Sequence, residues 1–446
     1  MFDYSPDTLK ELAQTALDEA KKLGATQAAV EVSESHGLNV NVRKKKLETV
    51  EMNRDKGFGV TVHCGQRRGN ASSADFSTRS IQEVVKAAFD IARYTAEDDC
   101  AGLPELETLA TKFKDFDLFK PWAIDASKAA QIAIEAEEAA FAVGPQIKNS
   151  EGASVSSSHG QFILANSHGF MGGYPYSRHS IACSPIAQLG RAMQRDDWYS
   201  SEHDPKKLAK PAQIGRYAAQ RALAKLDARK LKTGTVPVLF ESPLACGLIG
   251  SFVQAISGGA LYRKSSFLLD SLGQQIFPKD LSIYEDPFLP GESGSSSFDG
   301  EGVATQKRWI VKKGQVQGYF LGTYSARKLG MKSTGNASGS HNLSLRSTKT
   351  QATDNLKAMI RKMGRGLFVT DLIGQGVNYV TGDYSRGANG FWVENGEIAY
   401  PVEEITIAGN LRDMYAQIVA VGSDEIRRGN KRTGSILIES MSLAGE

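Results

Sequence analysis

Apolar side chains recur at two periods along this chain, and the switches between them mark its elements. At the start, Leu9, Leu12, Leu17 and Leu23 fall on one side of a helix. Ser5-Pro6-Asp7 supplies a capping side chain, a proline at the first helical position and an acid near the positive helix end, and Gly24 stops the helix. Over residues 28–74 the period drops to two, in EVSESHGLNVNVRKKKLETVEMN and GFGVTVHCGQ, which predicts antiparallel strands joined by glycine-containing turns. Ser80 and Glu83 read as the capping box of a second helix whose buried face carries Ile81, Val84, Val85, Ala88 and Ile91. Residues 97–125, with Pro104, Pro121 and no sustained period, read as a connector. An alanine-rich helix over 126–143, strands over 145–195 and a helix near 211–226 follow.

The basic, glycine-containing LDARKLKTGT marks the expected main break, giving an N-terminal α+β region over 1–230, subdivided near 97–125, and a strand-rich C-terminal domain over 231–446. That second part opens with the strand TVPVLFES and the apolar, helix-like PLACGLIGSFVQAISGGAL, which ends at Gly258-Gly259. Residues 286–302 form a loop rich in Pro, Gly and Ser. WIVK-KG-QVQGYF and FWVE-NG-EIAY predict hairpins, and helices are expected near 353–363 and 410–421. The fold class is α+β, without the βαβ alternation of a doubly wound sheet.

Composition adds limits. The 446 residues carry 53 Lys+Arg against 50 Asp+Glu, a net charge of +3 that gives no general field for nucleic acid or an anionic membrane. No basic n-region with an apolar h-region opens the chain, and no apolar run approaches the ~20 residues of a membrane span, so a cytoplasmic protein is expected. Cys64, Cys100, Cys183 and Cys246 form no C-x-x-C pair and read as reduced, mostly buried thiols.

Candidate chemistry is sparse. Three of seven histidines, His159, His168 and His179, cluster in one stretch and could converge as metal ligands, but no H-x-x-H spacing supports it and separate turns are expected. The acidic run Asp196-Asp197 through Glu202-His203-Asp204 reads as a solvated loop. Basic runs at 43–46 and at Arg427-Arg428 through Lys431-Arg432 read as solvated faces. Ser325-Ala326-Arg327-Lys328 and Lys232-Thr233-Gly234 echo a penicillin-recognising enzyme in the wrong order. No G-x-S-x-G elbow and no P-loop occur.

Longer segments carry more. NASSADFSTRSIQEVVKAAFDIARYTAEDDCAG, ANSHGFMGGY, LYRKSSFLLDSLGQQI, TYSARKLGMKSTGNASG and TGDYSRGANGFWVENGEIAYPVEEITIAGNL, with the terminal LIESMSLAGE, resemble the PmbA/TldD family and its PmbA (TldE) branch. The resemblance implies a two-part PmbA/TldD-like fold and a cytoplasmic peptidase system in which a TldD-like and a PmbA-like subunit act together on unfolded or short peptides. In the TldD-like subunit a helix carries H-E-x-x-x-H and a later cysteine completes a zinc site, where the glutamate takes a proton from the bound water. Here the segment with Ser251, Phe252 and Ile256 stands in the corresponding place, and no cysteine follows Cys246.

The resemblance therefore implies a subunit with no cofactor of its own, zinc belonging to the TldD-like partner, and peptide as substrate. A homodimer of the isolated chain is plausible, and no membrane or direct nucleic-acid binding is expected. One alternative is a peptidase or other hydrolase with its own site, built from His341, Asp383, Tyr384 and Arg386, each near glycines; these four are also the candidate peptide or partner contacts. Another follows from the family's second label, modulator of DNA gyrase, and is a gyrase-interacting binding protein.

Overall fold

In this computed structural model, residues 2–445 are described. Four helices and eight strands come from the first half. The helices are α1 (Pro6–Lys22), α2 (Thr78–Tyr94), α3 (Ala126–Phe141) and α4 (Pro211–Ala224). The strands are β1 (Gln27–Arg43), β2 (Lys46–Cys64), β3 (Arg67–Ser73), β4 (Ile147–Asn166), β5 (Met171–Gly172), β6 (Pro175–Leu189), β7 (Ala192–Arg195) and β8 (Trp198–Glu202). They form one sheet in the order β3-β2-β1-β4-β6-β7, with β5 on β4 and β8 on β6.

Strand alternation decides what each face of this sheet does. Even-numbered Val30, Val32, Val40 and Val42 of β1, and Phe58, Val60 and Val62 of β2, are buried. The inner stretches of β1 and β2 pack under α1 and α2, and Val40 and Val42 pack under α3 and α4. Odd-numbered Ala29 and Glu31 of β1, with Gly59, Thr61 and His63 of β2, therefore lie on the opposite face. That face is polar, and the second half of the chain covers it.

The second half contributes α5 (Ser242–Ala255), α6 (Gly258–Tyr262), α7 (Thr323–Lys328), α8 (Leu356–Met363) and α9 (Leu411–Ala416). Its strands are β9 (Gly234–Phe240), β10 (Leu281–Asp286), β11 (Arg308–Lys312), β12 (Gln315–Val316), β13 (Asn342–Ser347), β14 (Gly366–Ile373), β15 (Asp383–Glu394), β16 (Glu397–Asn410), β17 (Ile418–Val421), β18 (Ile426–Arg428), β19 (Lys431–Thr433) and β20 (Ile436–Ala444). One sheet runs β12-β11-β10-β13-β19-β18. The other runs β16-β15-β14-β9-β20-β17, and because β16 also pairs β20 it closes on itself. One large core, including Phe240, Phe252, Tyr319, Trp392 and Tyr415, serves both sheets. The arrangement of all three sheets is α+β.

Several expectations hold in detail. Ser5 caps α1 by accepting the Thr8 N–H, and Gly24 ends it at φ +93°. Both central residues of each hairpin have positive φ, 50° and 79° at Lys313-Gly314 and 52° and 75° at Asn395-Gly396, as a type I′ turn requires. Between residues 95 and 125 the chain has one short 3₁₀ turn, Leu106–Thr108. The four cysteines are free thiols. No helix among the described residues is long and apolar enough to cross a membrane.

Others need correction. Helix α2 begins a turn earlier than the Ser80/Glu83 box: Ser77 is the cap, held by Asp75, which accepts both its N–H and its hydroxyl at 2.9 Å. Glu83 instead accepts from Arg79 at 2.8 Å, and Ala92 takes the buried place expected of Ile91, which is 49% exposed. The apolar segment after β9 breaks at Ile256 and restarts as α6. The helix expected over 410–421 stops at Ala416, because Ile418–Val421 pairs with β20 as a strand.

Two predictions follow from packing and burial. A Cβ on Gly215 of α4 would stand 1.8 Å from the Ala136 carbonyl oxygen of α3, so these helices touch backbone to backbone. Gly215→Ala should cost about 1–3 kcal/mol in urea denaturation although alanine is the better helix former, and an unchanged midpoint would mean the helices part freely.

The second concerns pH. Burial, with Arg68 and Arg327 nearby, pushes His63 down to about 4. Burial pushes Asp299 up to about 6, outweighing the three backbone N–H groups its carboxylate accepts and reinforced by Glu301. A lowered imidazole contributes stability that is lost as pH falls from 6.5 to about 4, at up to ~1.4 kcal/mol per pH unit. A raised carboxyl works oppositely, favouring the fold below 3.8 and losing that as pH rises through about 6. His63→Gln should flatten the acid loss of thermal midpoint between pH 4 and 6, and Asp299→Asn should steepen it. Equal slopes in the two variants would contradict this.

Candidate functional site

Two sets of concave surface lie where the halves meet. The first is a cleft of about 480 Å³ between β8 and α4 on one side and α5, β14, β18 and β19 on the other. Its wall is a network of buried charge. Arg221 of α4 binds Glu241 at 2.6 Å and lies 3.2 Å from Asp196, and Lys225, one turn on, reaches Asp196 at 2.9 Å. Burial works against the Arg221 charge, but Glu241 and Asp196 outweigh it and hold its pKa above the ordinary value. Arg428 stacks on Trp198 and Tyr199, 4.7 and 4.1 Å from their ring centres.

Helix α5 lines this cleft through Pro243, Leu244, Cys246, Gly247 and Gly250, with the Lys431 stem 3.7 Å from where a Gly250 Cβ would be. Of the segment singled out in the sequence, Phe252 and Ile256 point into the core, Phe252 against Phe277 and Tyr415, and Ser251 is half-buried. Across Ser242–Ala255 the helix has one thiol and no imidazole or carboxylate. Burial pushes that Cys246 thiol up to about 11, and its sulfur lies near the carbonyl oxygens of Ile426 and Lys431. Glu241, just before α5, is committed to Arg221. These donors do not fit a zinc ion, which needs about four deprotonated or neutral ligands in tetrahedral reach.

The second set is a groove across the polar face of the first sheet. Three cavities of about 390, 340 and 620 Å³ share Leu164 and Gly300 on their walls. Phe298, from the 286–302 loop, anchors the covering half among Phe113, Phe162, Phe170 and Tyr174, with ring centres 5.1–6.3 Å away. Asp299, His341 and Asn430 line one end, and Thr61, His63, Arg68 and Asn70 the other.

The structure scatters the residues singled out in the sequence. His341 lines the groove but is 8% exposed, and its ring nitrogens meet the Gly294 and Gly335 carbonyls at 3.1 and 2.9 Å. Its backbone N–H donates to Glu285, which is also bound by Arg308 and Asn336. Asp383 is exposed and accepts from Thr381 and Asn410. Tyr384 belongs to the core, 3% exposed, with burial pushing its hydroxyl up to about 12, so it is not a surface contact. Arg386 donates to the Leu372 carbonyl at 3.4 Å while its Nε is buried without a partner. His341 and the 383–386 group share no hydrogen-bond partner among the described residues.

The three clustered histidines do not converge. His168 bonds the Pro104 carbonyl, His179 bonds Ser157 and the Lys120 carbonyl, and His159 packs against Phe2 and His36. The described residues hold one potential ligand trio, Asp3, Glu34 and His36, but Glu34 already accepts the N–H groups of Asp3 and Tyr4 and the Gln161 amide, tethering the start of α1. Lys328 pairs with Asp98 at 2.8 Å and Ser325 donates to Gly322, so they are not a catalytic couple.

Two charge runs also depart from expectation. Asp196 is buried against α4, and Arg427 joins Glu202 of the first half to Glu292 of the second, with Arg432 on Glu292 at 2.9 Å. They are junctions between the halves, which their polarity alone concealed. The one signal was Arg221 and Lys225, four residues apart on the side of α4 that carries its buried Ile214, Ala218 and Ala222, which need acids from elsewhere.

Comparison with known proteins gives a consistent answer. Residues 28–92, 119–226 and 233–445 match the family descriptions PmbA/TldA metallopeptidase domain 1, central domain and C-terminal domain. The Metalloprotease PmbA homolog of Haemophilus influenzae is 46% identical over 98% of this chain and 96% of its own. Metalloprotease PmbA of Escherichia coli O157:H7 is 46% identical over the same shares, 98% and 96%. A crystal structure from Bacteroides thetaiotaomicron, described as a candidate modulator of DNA gyrase, superposes with a TM-score of 0.92 at 29% identity over 99% of each chain. With three family domains in order along nearly its whole length, the chain belongs to the PmbA/TldD family.

Proposed function

We propose that this chain is the PmbA/TldE-like subunit of a TldD/TldE-type zinc metallopeptidase acting on unfolded or short peptides, and that it supplies no zinc ligands itself. The observation that carries this reading is the cleft face of α5, which offers Pro243, Leu244, two glycines and a buried, protonated thiol. Residues 251, 252 and 256 are Ser, Phe and Ile, and two of them are core side chains. The metalloprotease names of its relatives support peptide hydrolysis as the task of the assembly. Work on peptides then depends on a TldD-like partner that holds the metal, while this chain shapes the chamber.

Two outcomes test it. Metal analysis of the purified chain after dialysis should find well under one zinc per chain, and stoichiometric zinc would overturn the reading. The chain alone should leave a denatured-casein peptide uncut, while adding it to a TldD-like chain should raise chelator-sensitive cleavage until the two saturate. A TldD-like chain equally active without it would sink the proposal.

A further inference from the structure

The largest cavity of the groove, about 620 Å³, lies within the ~300–1,000 Å³ typical of small-molecule sites. Cross-strand register builds one wall. His63 of β2 stands opposite Arg68 of β3, and Thr61 opposite Asn70, so all four share the polar face of the sheet. The facing wall comes from residues 95–104 and from Glu301 and Tyr324 of the second half.

Most charges around this space are already paired. Asp98 binds Lys328, Tyr324 and the Cys100 N–H, and Glu97 binds Arg67. Three groups stand apart. The Arg68 guanidinium makes no hydrogen bond or ion pair among the described residues. Glu301 uses one carboxylate oxygen for the Thr323 N–H and leaves the other without a partner there. His63 lines the cavity at 4% exposure, and neither of its ring nitrogens has a hydrogen-bond partner among the described residues. Nδ1 is sealed in, so Nε2 is the ring nitrogen left to a ligand in this space.

We propose that this cavity holds the two charged ends of a short linear peptide, its carboxylate at Arg68 and His63 and its ammonium at Glu301. The inference deepens the reading above, which is why a peptide rather than another zwitterion is named. Guanidinium and carboxylate match in geometry, the imidazole N–H adds a donor, and the acid on the other wall sets the direction of the chain. Because Arg68 and Glu301 are not paired with each other, neither must break a bond to accept the ligand.

Calorimetric titration of the full chain with trialanine tests this, beside the N-acetylated and C-amidated forms. Trialanine should bind saturably, and each cap should weaken binding by about tenfold or more, the worth of one charge-assisted bond. Arg68→Gln should abolish the penalty for amidation while keeping that for acetylation, and Glu301→Gln should do the reverse. Arg68 makes no hydrogen bond or ion pair among the described residues and glutamine can still accept the Thr323 N–H, so both variants should unfold at about the wild-type temperature. No saturable binding at millimolar trialanine, or capped forms that bind as tightly as trialanine itself, overturns the proposal. Since this measurement needs no partner, its failure is distinct from a failure of subunit-dependent cleavage.

Discussion

The buried charges on α4 decide how this molecule is put together. Arg221 in the last turn of α4 and Lys225 at its C-cap are both largely buried, and their acids come from both halves: Asp196 before β8, Glu241 before α5. Removing one partner from such a cluster costs roughly 3–5 kcal/mol, because the remaining charge stays dehydrated. The cluster therefore admits one docking of the second half over the sheet. Arg427, between Glu202 and Glu292, and Arg428, stacked on Trp198 and Tyr199, pin the same junction farther along.

That docking explains why the sheet can carry two such different faces. One is an ordinary aliphatic core under two pairs of helices. The other bears His63, Thr61, Arg68 and Asn70, side chains that a core would reject and that open solvent would not order. Covered at the Phe298 anchor but left open around it, the polar face becomes a lined groove instead of a surface.

What the sequence disclosed was local. Ser5, Pro6 and Gly24 specify α1 within a few residues, and Asn395-Gly396 specifies a turn by its own backbone preference. Family membership was legible because long segments carry it. The start of α2 was ambiguous because Ser77 and Ser80 can both cap, and Asp75 decides between them through two hydrogen bonds. Ile418–Val421 is too short an apolar run to distinguish helix from strand, and its pairing with β20 settles the matter. The charge clusters were hidden because Arg427 and Glu202 lie 225 residues apart. Arg68 and Glu301 drew no notice in the sequence for the same reason.

The closed sheet of the second half has a temporal side. Strand β20 lies between β9 and β17 over its first residues and between β9 and β16 over its last. Among the described strands it is also the last to leave the ribosome. Until residues 436–444 have been made, β9 and β16 face an empty place, and the core around Phe240 and Ile407 cannot shut. This half must stay open through nearly all of its synthesis, while the first half, whose sheet is complete by residue 202, can fold during translation.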